Sequence, residues 1–471
     1  MKKGNLKKLL TVALILPLFY ACNEDFLEEP SPQDAVTESV VFSSKENAMT
    51  HMSGILRRTR AQYTNNDSAG VNSLYYARAV KGNDVVQGPT WFLFDYAHEN
   101  REPNYRRTIF TWNYCYDIIN NLNVFIKGVS DSSISAADKN ELLAQGYGLR
   151  AFYYFQLVME FQHTYTYDAS LPALPIYTEP AVEGKAMSTV QEVYDFIIND
   201  LVTARDIAVD DRLGKSYLNK NVINGILARV YLVTENWSGA ATAASAASVG
   251  YPLQPALYGA GFSDASNPEW IWAYQQSSDQ SNFYWGAPHS HADHSVLSYQ
   301  GTYFNETFVN RFTATDVRNR FIGGFYGVPS TAWNYWTTDK FMFEFSSDFG
   351  LMRSAEMMLI EAEGLARSGS TGLAQAKLFE LQSDRDPSAV ASGNSGAALI
   401  EEILVERRKE LYAELGVEWF DAKRLRRGIT RDGNHRVFFD VPADGNEYRL
   451  KIPEAEIDAN DFIEPSVNDG R

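Results

Sequence analysis

The chain has 471 residues, with 42 Lys and Arg against 59 Asp and Glu, a formal net charge of −17. Hydrophobic residues make up 45% and charged residues 21%, which excludes wholesale disorder. The acidic balance argues against a nucleic-acid partner, because phosphate binding needs a basic surface. Cys22 and Cys115 are the two cysteines, so a disulfide framework is excluded as well. The aromatic content is high, with 27 Tyr, 27 Phe and 9 Trp, and several of these residues fall in polar, loop-like sequence.

Lys2, Lys3, Lys7 and Lys8 form a positive start, and Leu9 to Ala21 is an apolar run broken by Pro17. The run is too short to span a bilayer, which takes about 20 apolar residues. It predicts a signal peptide over residues 1–21. Ala21-Cys22 has the pattern of a bacterial lipoprotein, in which the thiol of Cys22 is acylated and becomes the mature N-terminus. The acidic stretch Asn23 to Glu29 then reads as the tether of a surface lipoprotein. No later stretch is long and apolar enough to span a membrane. With Cys22 lipidated, Cys115 has no partner and is expected as a buried thiol on a helix.

Helices are expected next. Trp112, Tyr116, Ile119, Asn123 and Ile126 recur at helical spacing over residues 112–127. A second helix is expected over 138–162, apolar nearly all round from Leu149 to Val158 and therefore buried. Ser188-Thr189-Val190-Gln191 has the form of a capping box, followed by the stripe Val193, Ile197, Leu201 and Ala204. Ile223, Ile226, Leu227, Val230 and Tyr231 mark a helix ending near Glu235, and Ala240 to Ser248 a shorter one. Late in the chain, Ala355, Met358, Leu359, Ala362 and Ala366 line one face, as do Ile400, Ile403, Leu404, Arg407 and Leu411. Gly146-x-x-x-Arg150 has echoes in Gly225-x-x-x-Arg229 and, more briefly, in Gly364-Leu365-Ala366-Arg367. Small residues at such positions allow close helix crossings, which suggests stacked tetratricopeptide-like hairpins. Residues 63–111 and 250–350 differ: they are rich in Gly, Asn, Ser, Asp and aromatics and lack helical periodicity. Within them Glu269 to Tyr274 alternates as a strand would. Long irregular segments in a compact protein usually carry function, so a site is expected there.

Three blocks resemble the SusD/RagB family of outer-membrane nutrient-binding lipoproteins. The first is Gly146-x-x-Leu149-Arg150-Ala151-Phe152-Tyr153-Tyr154-Phe155-x-Leu157-Val158, followed by the Pro-rich Leu171 to Pro180. The second is Arg353-x-Ala355-Glu356-x-x-Leu359-Ile360-x-Ala362-Glu363. The third is Glu406-Arg407-Arg408-x-Glu410-Leu411, running into Trp419-Phe420-Asp421-x-Lys423-Arg424. Lesser matches include Gly82-Asn83-Asp84-Val85 and Ile452-Pro453-x-x-Glu456-Ile457-x-x-Asn460. The blocks stand in the family's order behind a lipoprotein signal. They divide the chain into the signal, 1–21, an N-terminal SusD-like region, 22–235, and a C-terminal RagB/SusD region, 236–471. The usual Glu-Gly-x-Arg before Trp-Phe-Asp is replaced here by Glu414-Leu415-Gly416-Val417-Glu418.

The resemblance implies a mostly α fold, with about four tetratricopeptide-like units supporting an irregular, loop-rich lobe with a few short strands. It implies capture and not catalysis. Such proteins sit on the outer membrane, here anchored at Cys22, hold an oligosaccharide or sometimes a peptide, and deliver it to a SusC-like TonB-dependent transporter. No cofactor and no metal is implied. A pure scaffold and a hydrolase are the remaining alternatives.

A sugar ring offers an apolar face to flat aromatic side chains and a hydroxyl rim to amides, carboxylates and guanidinium groups. On that chemistry the candidates are Asn83, Asp84 and Trp91; Tyr96, His98 and Asn100; Phe283, Tyr284 and Trp285, with Gln280 and Asn282; and Trp333, Asn334, Tyr335 and Trp336. Trp112, Trp270 and Trp272 fall on regular elements and are expected in the core. His289-x-His291-x-Asp293-His294 has metal-ligand residue types, but a Ser/Ala-rich segment is a poor cage, and a polar surface loop or His side chains hydrogen-bonding a ligand is the preferred reading. Glu356, Glu361 and Glu363, like Glu406 and Glu410, are read as helix ion pairs and solvated faces, not as paired catalytic carboxylates.

Overall fold

The computed structural model describes residues 38–61, 65, 67–277 and 288–471. The signal peptide and Cys22, and the candidates Gln280, Asn282, Phe283, Tyr284 and Trp285, lie outside the described residues. Among the described residues no helix is long and apolar enough to cross a membrane.

Helices dominate. In chain order, those of eight or more residues are α1 (Lys45–Thr59), α2 (Gly70–Ala79), α3 (Arg106–Asp131), α4 (Ala136–Phe161), α5 (Val190–Ile207), α6 (Lys220–Val233), α7 (Trp237–Ser248), α8 (Ser354–Arg367), α9 (Thr371–Arg385), α10 (Gly396–Glu410) and α11 (Val417–Arg424). From α3 to α8 each helix packs on the next, and α8 then packs on both α9 and α10. The result is the expected stack of about four helix pairs. Its close crossings use the glycines singled out in the sequence. A Cβ at Gly146 would lie 2.6 Å from Ile126 of α3, and one at Gly364 would lie 2.6 Å from the Trp237 carbonyl of α7. The arginines of the echo serve as cross-ties. Arg150 makes two bonds to Asp200 of α5, at 2.8 and 3.0 Å. Arg229 grips Glu356 of α8 at 2.7 and 2.6 Å.

Some boundaries differ from the sequence reading. The capping box forms one residue later than expected, between Thr189 and Glu192, because Glu192 reaches back to the Thr189 backbone. Segment 63–111 is not irregular throughout: α2 lies within it. All ten of its residues are buried, so it shows no amphipathic stripe to read. Cys115 is buried on α3, and burial pushes its thiol up. Trp112, Trp270 and Trp272 are core residues, at 3%, 2% and 0% exposure.

The strands are short: β1 (Val85–Gln87), β2 (Pro172–Leu174), β3 (Ser188–Thr189), β4 (Trp270–Tyr274), β5 (Thr302–Phe304), β6 (Phe321–Gly323), β7 (Trp336–Thr338), β8 (Phe349–Arg353), β9 (Ile429–Thr430) and β10 (Asp440–Val441). Four form one antiparallel sheet in the order β1-β5-β7-β6. That sheet is the frame of the irregular lobe. Beneath it lies a core of its own, with Tyr76, Val86, Phe92, Phe304, Phe308, Phe341 and Tyr412.

The helical stack buries charge as well as apolar surface. Glu160 of α4 is buried and accepts from Arg78 Nε. Burial pushes its carboxyl up, but the charges of Arg78, Lys81 and Lys423 prevail and hold it down to about 2, from 4.5. A carboxyl depressed on folding stabilises the protein above its unfolded value and loses that contribution as pH falls. The loss should fall between about pH 4.5 and pH 2 and be on the order of 3 kcal/mol. Unfolding free energy measured against pH should therefore drop steeply in that window, and Glu160→Gln should flatten the drop. Parallel curves for the two proteins would refute this account.

Candidate functional site

The sheet's margin gathers aromatic side chains from four separate stretches of chain. At the end of β1, Gln87 pairs with Thr302 of β5, and the Gly88 N–H donates to the Gly301 carbonyl at 2.6 Å. This register sets Trp91 beside Tyr299, whose hydroxyl takes the indole N–H. Tyr299 in turn stacks on His291 at 5.0 Å, and His291 on Tyr76 at 4.8 Å. The guanidinium of Arg106, held by Asp67 at 3.0 Å, lies 5.2 Å from the Trp91 ring.

Tyr303 of β5 continues the margin. Trp333 stands edge-on to it at 5.0 Å, and the Trp333 carbonyl is tied down by Asn434 Nδ2 at 3.1 Å. Arg436, which is exposed, lays its guanidinium 4.6 Å from the Trp333 ring. The turn between β6 and β7 adds Phe325 and Tyr326, edge-to-face at 5.0 Å and each 42% exposed. Gly323 and Gly324 make this turn possible. Gly324 has φ +69°, and a Cβ on Gly323 would lie 2.7 Å from the Tyr335 ring.

His294 fixes Tyr326. The Tyr326 hydroxyl and His294 Nδ1 are 2.7 Å apart, and His294 Nε2 is 2.8 Å from the Thr302 carbonyl. A carbonyl can only accept, so Nε2 carries the proton and Nδ1 accepts from tyrosine. Burial lowers the pKa of this imidazole, and burial raises that of Tyr303 to about 12. Both groups are therefore uncharged near neutral pH. The margin offers flat rings, hydroxyls, the half-buried amide of Asn334 and the exposed guanidinium groups of Arg106 and Arg436. Such a surface binds by stacking and hydrogen bonding.

The structure separates the residues proposed from the sequence. Trp91, Trp333, Asn334, Tyr335 and Trp336 are half-buried around the sheet. Trp91 and Trp333 join the margin. Tyr335 packs under Gly323, and Trp336 belongs to β7, opposite Phe304 and Gly323, instead of to a loop. The others have polar groups already engaged within the protein. Asn83 bonds Asp432 at 2.9 Å and takes Asn305 Nδ2 at 3.0 Å. Asp84 is buried in an ion pair with Arg408. Tyr96 is fully buried, with His435 at 2.8 Å and Arg431 3.7 Å from its ring. His98 contacts the Lys81 carbonyl at 3.0 Å. Asn100 is buried and accepts the Arg107 N–H near the start of α3 at 3.3 Å. These side chains build the lobe beneath the margin. Sequence reading missed Tyr299, Tyr303, Phe325, Tyr326 and Arg436. The Gly323-Gly324 pair immediately before Phe325-Tyr326 was the available signal.

Two charged motifs also need correction. The His289 segment is not a surface loop: Pro288–Ala292 is a short buried helix. Asp293 is spent on the Phe343 and Ser295 N–H groups, both at 2.8 Å. Among the described residues no cluster of His, Cys, Asp and Glu is placed to hold a metal. Glu356 and Glu363 are not on solvated faces either. Both are buried, Glu356 against Arg229 and Glu363 against Arg424. Glu406 and Glu410 are buried likewise, each paired with Arg318.

Residues 25–232 match the SusD-like family described as "Starch-binding associating with outer membrane". Solved structures extend the likeness through most of the chain. A SusD-like carbohydrate binding protein from Bacteroides vulgatus is 25% identical, with a TM-score of 0.81 over 90% of this chain and 98% of its own. A SusD superfamily protein from the same organism is 21% identical, with a TM-score of 0.82 over 91% and 99%. Surface glycan-binding protein A from Bacteroides thetaiotaomicron, in complex with laminarihexaose, is 14% identical, with a TM-score of 0.70 over 89% and 98%. Among curated proteins no sequence matches significantly. Residues 25–232 thus resemble the SusD-like family, and most of the chain shares the fold of SusD-like structures.

Proposed function

We propose that this protein captures a glycan on the aromatic margin of its lobe and passes it to a SusC-like TonB-dependent transporter, while a lipid on Cys22 tethers it to the outer-membrane surface. The observation that carries the reading is the set of rings of Trp91, Tyr299, Trp333 and Tyr326, positioned by the sheet around the buried Tyr303 and left partly open to solvent. The matched family's outer-membrane association and the laminarihexaose complex of a protein with the same fold support it. The role is capture without bond cleavage. The glutamates that could suggest a hydrolase are engaged by buried arginines.

The test is native affinity electrophoresis of the full chain, purified in detergent, through gels containing plant, host or microbial polysaccharides. Retardation by at least one polysaccharide is expected, and it should weaken when the margin is altered. Free migration through every gel would refute glycan capture and favour the peptide-binding alternative.

A further inference from the structure

A second opening lies away from the lobe, on the helical stack. It encloses about 370 Å³, within the range of small-molecule sites, roughly 300–1,000 Å³. One wall is a face of α3, where Asn113, Tyr116 and Asn120 recur at helical spacing beside Trp112. Tyr177 faces them, its ring 5.8 Å from Tyr116 and nearly perpendicular to it. The floor is fixed by hydrogen bonds. Glu456 accepts the Trp112 indole N–H at 3.1 Å and the Asn460 amide at 3.0 Å. Residues 181–184 overhang the opening, and Gly184 lets them settle onto Asn460, where an added Cβ would collide with its carboxamide.

The lining selects the ligand by its chemistry. The half-buried rings of Tyr116 and Tyr177 offer flat apolar surface, with the buried Trp112 behind them. Asn113 and Asn120 are exposed, and their amides both donate and accept, Asn120 Oδ1 also facing the Ala181 N–H at 3.4 Å. Glu456 and Glu183 are carboxylates and only accept when ionised. Lys185 is close by, with its Nζ bonded to the Ile176 carbonyl at 3.3 Å and lying 5.5 Å from the Tyr177 ring. Two carboxylates against this one ammonium leave an excess of negative charge, which disfavours an anionic ligand and attracts hydroxyl donors. We propose that this cavity is a second carbohydrate subsite, taking one neutral pyranose unit of a chain. This inference rests on the reading of the protein as a glycan binder, and its test separates the two.

Four proteins are compared in native gels containing laminarin, starch, xylan or galactomannan. They are the wild type, the margin variant Tyr326→Ala/Trp333→Ala, the cavity variant Asn120→Trp, and the two combined. Asn120 is exposed on α3, so tryptophan there fills the opening without disturbing the core. Tyr177→Ala, a fifth protein, serves as an independent cavity variant. Thermal midpoints report folding. The expected result is that the margin variant keeps part of its retardation and that adding Asn120→Trp removes the rest. Complete loss in the margin variant, with both cavity variants matching wild type, would overturn this proposal and leave the margin standing. Retardation that only the cavity variants abolish would uphold the cavity and overturn the margin. Free migration of the wild type in all four gels would overturn both. A cavity variant that binds glycan normally but co-purifies less transporter would overturn the subsite in favour of a partner contact.

Discussion

Glu410→Ala should cost about 3–5 kcal/mol of unfolding free energy, read as a large fall in the urea midpoint. Glu410 has no solvent exposure. Its carboxylate takes Arg318 Nη1 and Arg385 Nη2 at 3.0 Å each and also engages Arg353. Its backbone carbonyl takes Arg353 Nη2 at 2.6 Å and the Tyr258 hydroxyl at 2.9 Å. Arg353 stands at the end of β8, Arg385 ends α9, and Arg318 belongs to the lobe. Glu410 therefore joins the helical stack to the ligand-bearing lobe. Deleting it leaves buried guanidinium groups short of acceptors, and the penalty is the desolvation of charges that no longer have partners. The half-exposed pair of Arg320 and Asp339 provides the control. Asp339→Ala should change stability by less than about 1 kcal/mol, because water and salt already screen that pair. Equal effects at the two sites would show that the buried network is not what holds lobe and stack together.

That network also shows where sequence reading stops. Helix α4 was legible because its apolar centre is long and its ends carry ordinary signals. The helix crossings were legible because Gly146, Gly225 and Gly364 repeat beside arginines. Helix α2 was not, since a helix buried on every side has no periodic contrast to detect. The charged blocks around Glu356 and Glu410 read as surface, because composition alone cannot tell a solvated ion pair from a buried one. Each carboxylate's arginine lies on a different element: Arg229 is 127 residues from Glu356, and Arg318 is 92 from Glu410. The candidate site divides in the same way. Trp91 and Trp333 were recognisable from their polar flanks. Asp84, Tyr96 and Asn100 had similar flanks but point inward, since the polar groups around them are buried lobe residues. Tyr303 and Tyr326 join the margin only through strand pairing and a histidine bridge, neither of which has a local signature.

The margin should behave as a small hot spot. Truncating a central Trp or Tyr in a binding surface commonly costs about 2 kcal/mol, roughly a thirtyfold loss of affinity. Trp333→Ala should reach that size, because it removes the ring that Tyr303 buttresses and leaves Arg436 without its aromatic support. Tyr326→Phe separates two roles of the neighbouring residue. It keeps the ring but loses the hydroxyl that holds His294 Nδ1, 2.7 Å away. If stacking dominates, Tyr326→Phe should bind glycan within about threefold of wild type, whereas Tyr326→Ala should lose about tenfold. The double variant Tyr326→Ala/Trp333→Ala should lose more than either single variant. Its thermal midpoint should change little, because Tyr326 is 42% exposed and Trp333 half-buried at the edge of the lobe core. Titration calorimetry with a glycan that retards the wild type measures all four variants. Unchanged affinity in the folded double variant would show that the ligand lies elsewhere on the molecule. A parallel fall in affinity and thermal midpoint would instead make these rings part of the lobe's structure.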